Sequence, residues 1–199
     1  MKLYYSPGAC SLSVHIALRE AGLNYNLEKV DLRNKKTESG HDYVQINDKG
    51  QVPALETNKQ VLLTEAAAIL QYVADLAPEK NLLAPVGDVE RYEIVAWVNF
   101  IATELHKNFG PFFHLNASDD SRESAKKVLE AKLDYIEKHL VKHPYIAGNH
   151  FTIADCYLFV VLRWCKFVPN LSSHQEIKKF MARIQNRPAV AAVLQEEGL

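Results

Sequence analysis

The sequence is poor in the residues that would build a disulfide framework or a metal centre. It has three cysteines in 199 residues, Cys10, Cys156 and Cys165, an odd number without clustered ligand spacing. It also lacks an excess of either charge. Lysine plus arginine number 23 and aspartate plus glutamate 24, so no overall field gathers nucleic acid or an acidic membrane surface, and any small partner has to be recognised locally. Long apolar runs are missing as well. The opening MKLYYSPGAC reaches Pro7 after only a few apolar residues, far short of a secretory signal, and no later stretch is apolar for long enough to cross a bilayer. The expectation is a cytoplasmic chain. No glycine-rich phosphate loop, serine hydrolase motif, aromatic-basic nucleic-acid surface or internal repeat is found.

What remains is the composition of an ordinary globular protein, 48% hydrophobic and 24% charged, with ample material for a core. Its length suits two small domains. Up to about Pro78 the elements alternate. Lys2 to Tyr5 reads as a short strand, Ser11 to Ala21 as a helix closed by Gly22, and Asn26 to Leu32 as a second strand. After a polar stretch, QVPALET and QVLLT are separated by Asn58 and Lys59, a hairpin signal, and EAAAILQYVADLA from Glu65 returns to helix. The order β-α-β then β-β-α is the thioredoxin-like arrangement, an α/β domain over 1–77. APEKNLLAPVGD supplies a linker over 78–88. Beyond it, Arg91 to Phe109, Ser121 to His143, Thr152 to Cys165 and Ser173 to Gln185 carry helical periodicity, an all-α domain over 89–199.

Two local signals stand out. Thr152 three residues before Asp155 forms a capping box at the start of a helix whose continuation, CYLFVVLRWC, marks the centre of the helical domain and makes Cys156 and Cys165 core residues. At the other end, Pro7 and Gly8 turn the chain so that Cys10 stands at the mouth of the first helix, where unpaired amides and the positive helix end lower a thiol pKa. Without context such a cysteine more readily fills a gap in the core.

Context is supplied by three further observations. Cys10-Ser11-Leu12-Ser13 puts serine where a dithiol oxidoreductase has its second cysteine, which suits a site holding a small external thiol. Pro53 follows Val52 at a strand start, and a cis bond there would offer the Val52 amide and carbonyl to a peptide-like ligand as an added strand. Thr64-Glu65-Ala66 sits at a strand-to-helix junction, with amides for a carboxylate and Glu65 for an ammonium. A thiol, a peptide backbone, a carboxylate and an amine are together the features of glutathione.

The strings KLYYSPGACSLS, QVPAL, LLTEAAAILQYVAD, WVNFIATELHK and FTIADCYLFVVLRW, in this order across essentially the whole chain, closely resemble the bacterial beta-class glutathione transferases. The resemblance implies a glutathione-binding thioredoxin-like domain, a helical domain that completes a pocket for small hydrophobic electrophiles, a homodimer, glutathione as co-substrate and no metal. It implies that Cys10 forms a mixed disulfide with glutathione, with Lys35, Val52, Glu65 and Ala66 around the tripeptide and Asn99, Thr103, Glu104, Leu105 and His106 as the remaining contact segment. On a regular helix Asn99, Thr103 and His106 share one polar strip beside Ile94, Val98, Ile101 and Leu105. His106 is placed to polarise or deprotonate a thiol, and Tyr5 to donate to sulfur as an auxiliary. Ala66 departs from the serine common in relatives, leaving its amide as the only donor there.

The implied activity is conjugation of the glutathione thiolate to hydrophobic electrophiles. The alternatives are a glutathione-dependent thiol transferase, disulfide reductase or peroxidase, and a noncatalytic binding protein on the same fold. Phe109, Phe112, Phe113 and Trp164 are candidate pocket walls. His139 and His143 have i, i+4 spacing, but Pro144 follows and no third ligand is evident, so the end of a helix accounts for them better than a metal.

Overall fold

The computed structural model describes residues 1–169, 171 and 173–199. By its internal contacts the chain divides into two units, Met1–Leu83 with Arg187–Leu199, and Ala84–Asn186.

The first unit is built on a sheet of strands β1 (Lys2–Tyr5), β2 (Asn26–Asp31), β3 (Lys36–Thr37), β4 (Ala54–Glu56) and β5 (Leu62–Thr64), in the order β3-β2-β1-β4-β5. Strand β1 pairs parallel to β2 and antiparallel to β4, with Leu3 opposite Leu27 and Leu55. The β4–β5 hairpin aligns Ala54 with Thr64, the pairing expected across Asn58 and Lys59. The two-residue β3, which pairs antiparallel with β2, carries too short a pattern to be read from sequence.

Helix α1 (Ser11–Glu20) follows β1, and Ser11 to Leu18 are all buried. A helix buried all round needs neighbours on every side. It has contacts with β1, with α2 (Ala66–Asp75) and with α8 (Pro188–Glu196). Helix α8 was not anticipated, although Pro188 at its first turn and the apolar run after it are start signals. Its attachment revises the expected 89–199 domain: the residues from Arg187 onward rejoin the first unit. Helix α8 buries Val190, Val193 and Leu194, packs on α1 and is joined to it by polar contacts. Arg187 donates to both carboxylate oxygens of Glu20, Nε to Oε1 at 2.6 Å and an Nη to Oε2 at 2.9 Å. The wholly buried His15 places Nδ1 2.9 Å from Glu197 and Nε2 3.1 Å from Glu196.

The second unit is helical among its described residues. Helix α3 (Val89–Phe100) is followed by a π-turn over Ile101–Leu105, a 3₁₀ turn over His106–Phe109 and the short α4 (Gly110–Phe113). The single regular helix expected over 91–109 is therefore rewound in its second half. Helix α5 (Asp119–Leu140) packs against α7 (Gln175–Gln185), whose first amides, of Glu176 and Ile177, both donate to Glu137 of α5 at 2.9 Å. At the centre runs α6 (Ile153–Arg163), buried continuously from Ile153 to Leu162.

The start of α6 follows from its sequence. The capping box is formed, and Asp155 accepts from the Thr152 amide at 2.8 Å and the Thr152 hydroxyl at 3.0 Å. It also accepts from the Ile146 amide at 2.8 Å, so one carboxyl ties the preceding loop to the helix start. Cys156 is wholly buried and Cys165 half-buried, and burial pushes the Cys165 thiol up to about 12.

Candidate functional site

In the first unit, the turn from β1 into α1 is fastened from several sides. The Ser6 amide donates to Ser11 Oγ at 3.1 Å, and the Ser13 hydroxyl donates to the Cys10 carbonyl at 2.6 Å. Gly8 has φ of 71°, a conformation that favours glycine, and its amide donates to Glu197 Oε2 at 3.0 Å. Cys10 is thereby set at the N-cap of α1.

The Cys10 thiol donates to the Val52 carbonyl at 3.2 Å. Val52 precedes Pro53 through a cis peptide bond, the geometry that sequence leaves undecided, and two of the expected site residues are thus brought together. The expected lowering of the thiol pKa is overturned. Burial pushes Cys10 up to about 12; its own amide and that of Ser11 pull the other way and are outweighed, and Glu65 adds to the rise. Desolvation of the sulfur is a tertiary effect that helix position alone does not report. The raised pKa agrees with the geometry, in which Cys10 is the protonated donor to Val52.

The remaining expected residues of this unit lie on the adjoining turns. Lys35 Nζ donates to the Gly50 carbonyl at 2.7 Å, so its ammonium is held by the loop that leads to Val52. Glu65 is the N-cap of α2 with φ of 70°, an uncommon conformation for a residue with a side chain, found disproportionately at functional sites. Its carboxylate accepts from Lys49 Nζ at 2.7 Å. Lys49, which sequence reasoning missed, presents to Glu65 the cation expected of a ligand, and it bonds the Thr64 hydroxyl at 3.1 Å as well. Ala66 is buried at the first position of α2, where helix amides lack intrahelical acceptors. Tyr5 is buried with its ring tilted against His15 at 6.1 Å. Burial, then Glu197, raises its phenol above the ordinary range, so its hydroxyl remains protonated.

In the second unit, the π-turn carries Thr103, Glu104 and Leu105 and delivers His106 at its end. The regular i, i+4, i+7 strip through Asn99, Thr103 and His106 is corrected accordingly, because the wider winding begins at Ile101. Single π-turns inserted in helices recur at functional positions. Asn99 and Thr103 are exposed, Leu105 is fully buried, and the Thr103 hydroxyl donates to the Asn99 carbonyl at 3.0 Å. Glu104 pairs with Lys132 of α5 at 2.9 Å.

His106 is held by residues that the sequence did not single out as its partners. Its Nδ1 lies 2.7 Å from the hydroxyl of Tyr157, a buried residue of α6, and its ring meets Trp164 edge-on at 4.8 Å. Trp164 also packs against Phe109 at 5.7 Å and Phe113 at 5.2 Å. Phe113 is 47% exposed and Phe167 48% exposed, so this aromatic cluster presents an apolar wall beside His106. Phe109 and Trp164 are themselves core. Three residues after Ala154, Tyr157 follows the legible capping box, and its place one helical turn into α6 was the available signal. Among the described residues no group of three or more histidine, cysteine, aspartate or glutamate side chains is arranged to hold a metal, and no helix is long and apolar enough to cross a membrane.

The chain matches two family models, "Glutathione S-transferase, N-terminal domain" over residues 1–75 and "Glutathione S-transferase, C-terminal domain" over residues 103–197. It is 48% identical over the whole length of both chains to the glutathione S-transferase GstA of Escherichia coli. A sphingomonad glutathione S-transferase complexed with glutathione superposes with a TM-score of 0.96 at 40% identity, covering 100% of each chain. The beta-class glutathione S-transferase of Sphingomonas chungbukensis does so with a TM-score of 0.96 at 41% identity, again over 100% of each chain.

Proposed function

Because this chain belongs to the glutathione S-transferase family of enzymes, in its bacterial beta class, we propose that it conjugates glutathione to small hydrophobic electrophiles. The observation that carries the ranking is the contact of the Cys10 thiol with the Val52 carbonyl. A free thiol of ordinary cysteine type has a pKa of about 8.5, whereas Cys10 is pushed up to about 12 and donates to the Val52 carbonyl. Glutathione's own sulfur is therefore the easier one to ionise. It is the nucleophile: its thiolate forms the new S–C bond, the leaving group departs with the electrons of the broken bond, and the thiol proton passes to a base or to solvent. His106 is the side chain we assign to that proton or to hydrogen bonding of the sulfur. The first-turn amides of α2, with Glu65, suit the carboxylate and amine of the tripeptide. Lys35, Val52 and Ala66 in the thioredoxin-like unit, and Asn99, Thr103, Glu104 and Leu105 in the helical unit, complete the residues assigned to glutathione. Tyr5, protonated and buried, is an auxiliary donor.

Cys10 remains the residue through which a mixed disulfide with glutathione would form. Thiol–disulfide exchange needs a thiolate, and the raised pKa ranks thiol transfer and peroxide reduction below conjugation. A homodimer acting in cytoplasmic detoxification completes the reading, and the family is what supports it. The assay is product analysis with glutathione and either 1-chloro-2,4-dinitrobenzene or a glutathionylated disulfide. Thioether formation is expected, and it should persist within about tenfold in Cys10→Ser while disulfide turnover is lost. Turnover of the disulfide alone would reverse the ranking, and binding of ligands without any turnover would make the chain a noncatalytic binder.

A further inference from the structure

Helix α2 begins on an acidic residue that does not cap it. Glu65 is the N-cap, yet its side chain makes no capping hydrogen bond, although negative charge at a helix start is ordinarily drawn to the first-turn amides. The carboxylate turns instead to Lys49, whose Nζ lies 2.7 Å from Glu65 Oε1 and 3.1 Å from the Thr64 hydroxyl oxygen. The Glu65 side chain is 67% exposed and that of Lys49 47%, so the carboxylate keeps an open side. An exposed ion pair of this kind contributes little to the fold.

The backbone that carries Lys49 is nevertheless fixed from beneath. The buried Asn47 accepts from the Lys49 amide through Oδ1 at 3.3 Å and from the Gly50 amide through its carbonyl at 2.8 Å. Its Nδ2 donates to the Gln51 carbonyl at 2.7 Å, and the Tyr43 hydroxyl donates to the same carbonyl at 2.8 Å. Gln51 is joined directly to Val52, so the loop that presents Val52 also presents Lys49. Glu65 in turn lies near enough to Cys10 for its charge to be felt at the sulfur. A held cation and a half-open carboxylate therefore stand together beside the candidate site. Ala66, the next residue, brings no hydroxyl to that end of it.

We propose that Lys49 makes the site select a ligand end that carries an ammonium and a carboxylate on one carbon over an end that carries an ammonium alone. The inference rests on the glutathione reading and assigns Lys49 to the γ-glutamyl end of the tripeptide. The ligand's ammonium takes the open side of Glu65, and the carboxylate on the same carbon meets the ammonium of Lys49. A ligand without that carboxylate would set two cations on one Glu65 side chain, and like charges a few ångströms apart oppose each other. Lys49 thus supplies attraction to the zwitterion and repulsion of the simple amine, the two elements of a specific site.

The test is calorimetric titration of the full-length protein with glutathione and with 4-aminobutyryl-cysteinylglycine, which lacks only the γ-glutamyl carboxylate. Both ligands are titrated into the parent, Lys49→Met and Lys49→Arg. We expect Lys49→Met to weaken glutathione about fivefold, the worth of one ion pair at a partly exposed site, and to leave the aminobutyryl analogue bound as tightly as before or more so. The preference for glutathione over the analogue should shrink by at least that factor, and Lys49→Arg should restore it. The proposal fails if Lys49→Met weakens both ligands alike, the result expected were Lys49 only a brace for Glu65 or for the loop, or if it changes neither. A parent that binds neither ligand overturns the glutathione reading and this inference with it. A parent whose preference for glutathione is indifferent to Lys49 overturns this inference alone.

Discussion

The Cys10 thiol donates to the Val52 carbonyl across 3.2 Å, joining the mouth of α1 to the loop of the cis proline. That contact makes the sulfur a protonated donor, and its consequence can be measured directly. With the thiol pushed up to about 12 by burial, peptide-resolved alkylation of Cys10 by iodoacetamide should be slow at neutral pH. Its rate should climb about tenfold per pH unit through pH 10 without levelling off. A plateau near pH 8 would mean that the helix end prevails over desolvation and would restore Cys10 as a thiolate.

Asp155 links the Ile146 loop to the start of α6 through three donors. Removing the carboxyl in Asp155→Ala leaves those buried donors unmet and should cost about 3 kcal/mol or more. Burial raises the Asp155 pKa from 3.8 to about 6, outweighing the donors that favour the charged form. A carboxyl with a raised folded pKa contributes stability that is fully present below pH 3.8 and lost as pH rises through 6. The stability gap between the parent and Asp155→Ala, from urea unfolding, should therefore narrow from pH 4 to pH 7, by up to about 3 kcal/mol. A gap that widens with pH would show the donors to be the stronger influence.

Tyr157 places its hydroxyl 2.7 Å from Nδ1 of His106, a contact that orients the ring to which the proposed reading assigns the thiol proton. Tyr157→Phe keeps the buried ring and deletes the hydroxyl. The expected result is a fall in kcat of about tenfold with little change in KM for glutathione, a shifted pH profile, and a change in the ¹⁵N tautomer signature of His106. If His106→Asn conjugates at the parent rate, the histidine's role is lost; if the tautomer signature is also unmoved in Tyr157→Phe, the contact itself has no influence.

Sequence patterns of short range carried much of the architecture. The hairpin around Asn58 and Lys59, the capping box of Thr152 and Asp155, and the position of Cys10 after the Pro7-Gly8 turn are each set by a few adjacent residues, and each is formed. What escaped depends on the rest of the molecule. The π-turn at Ile101–Leu105 leaves a hydrophobic spacing that over one turn looks like 3.6. The positive φ of Glu65 is imposed by the β5–α2 junction on a residue type that gives no hint of it. The rise of the Cys10 pKa is a desolvation effect, and the partners of Glu65 and His106, Lys49 and Tyr157, come from turns and helices distant in the chain.

The return of Arg187–Leu199 to the first unit separates the order of synthesis from the order of folding. While the polypeptide is still emerging from the ribosome, His15 has neither Glu196 nor Glu197 to face, and the Gly8 amide lacks its acceptor. A nascent chain halted before residue 187 would hold a half-finished domain with an imidazole stranded in its interior, so the loop that carries Cys10 gains its last anchor only after the entire helical unit has been translated.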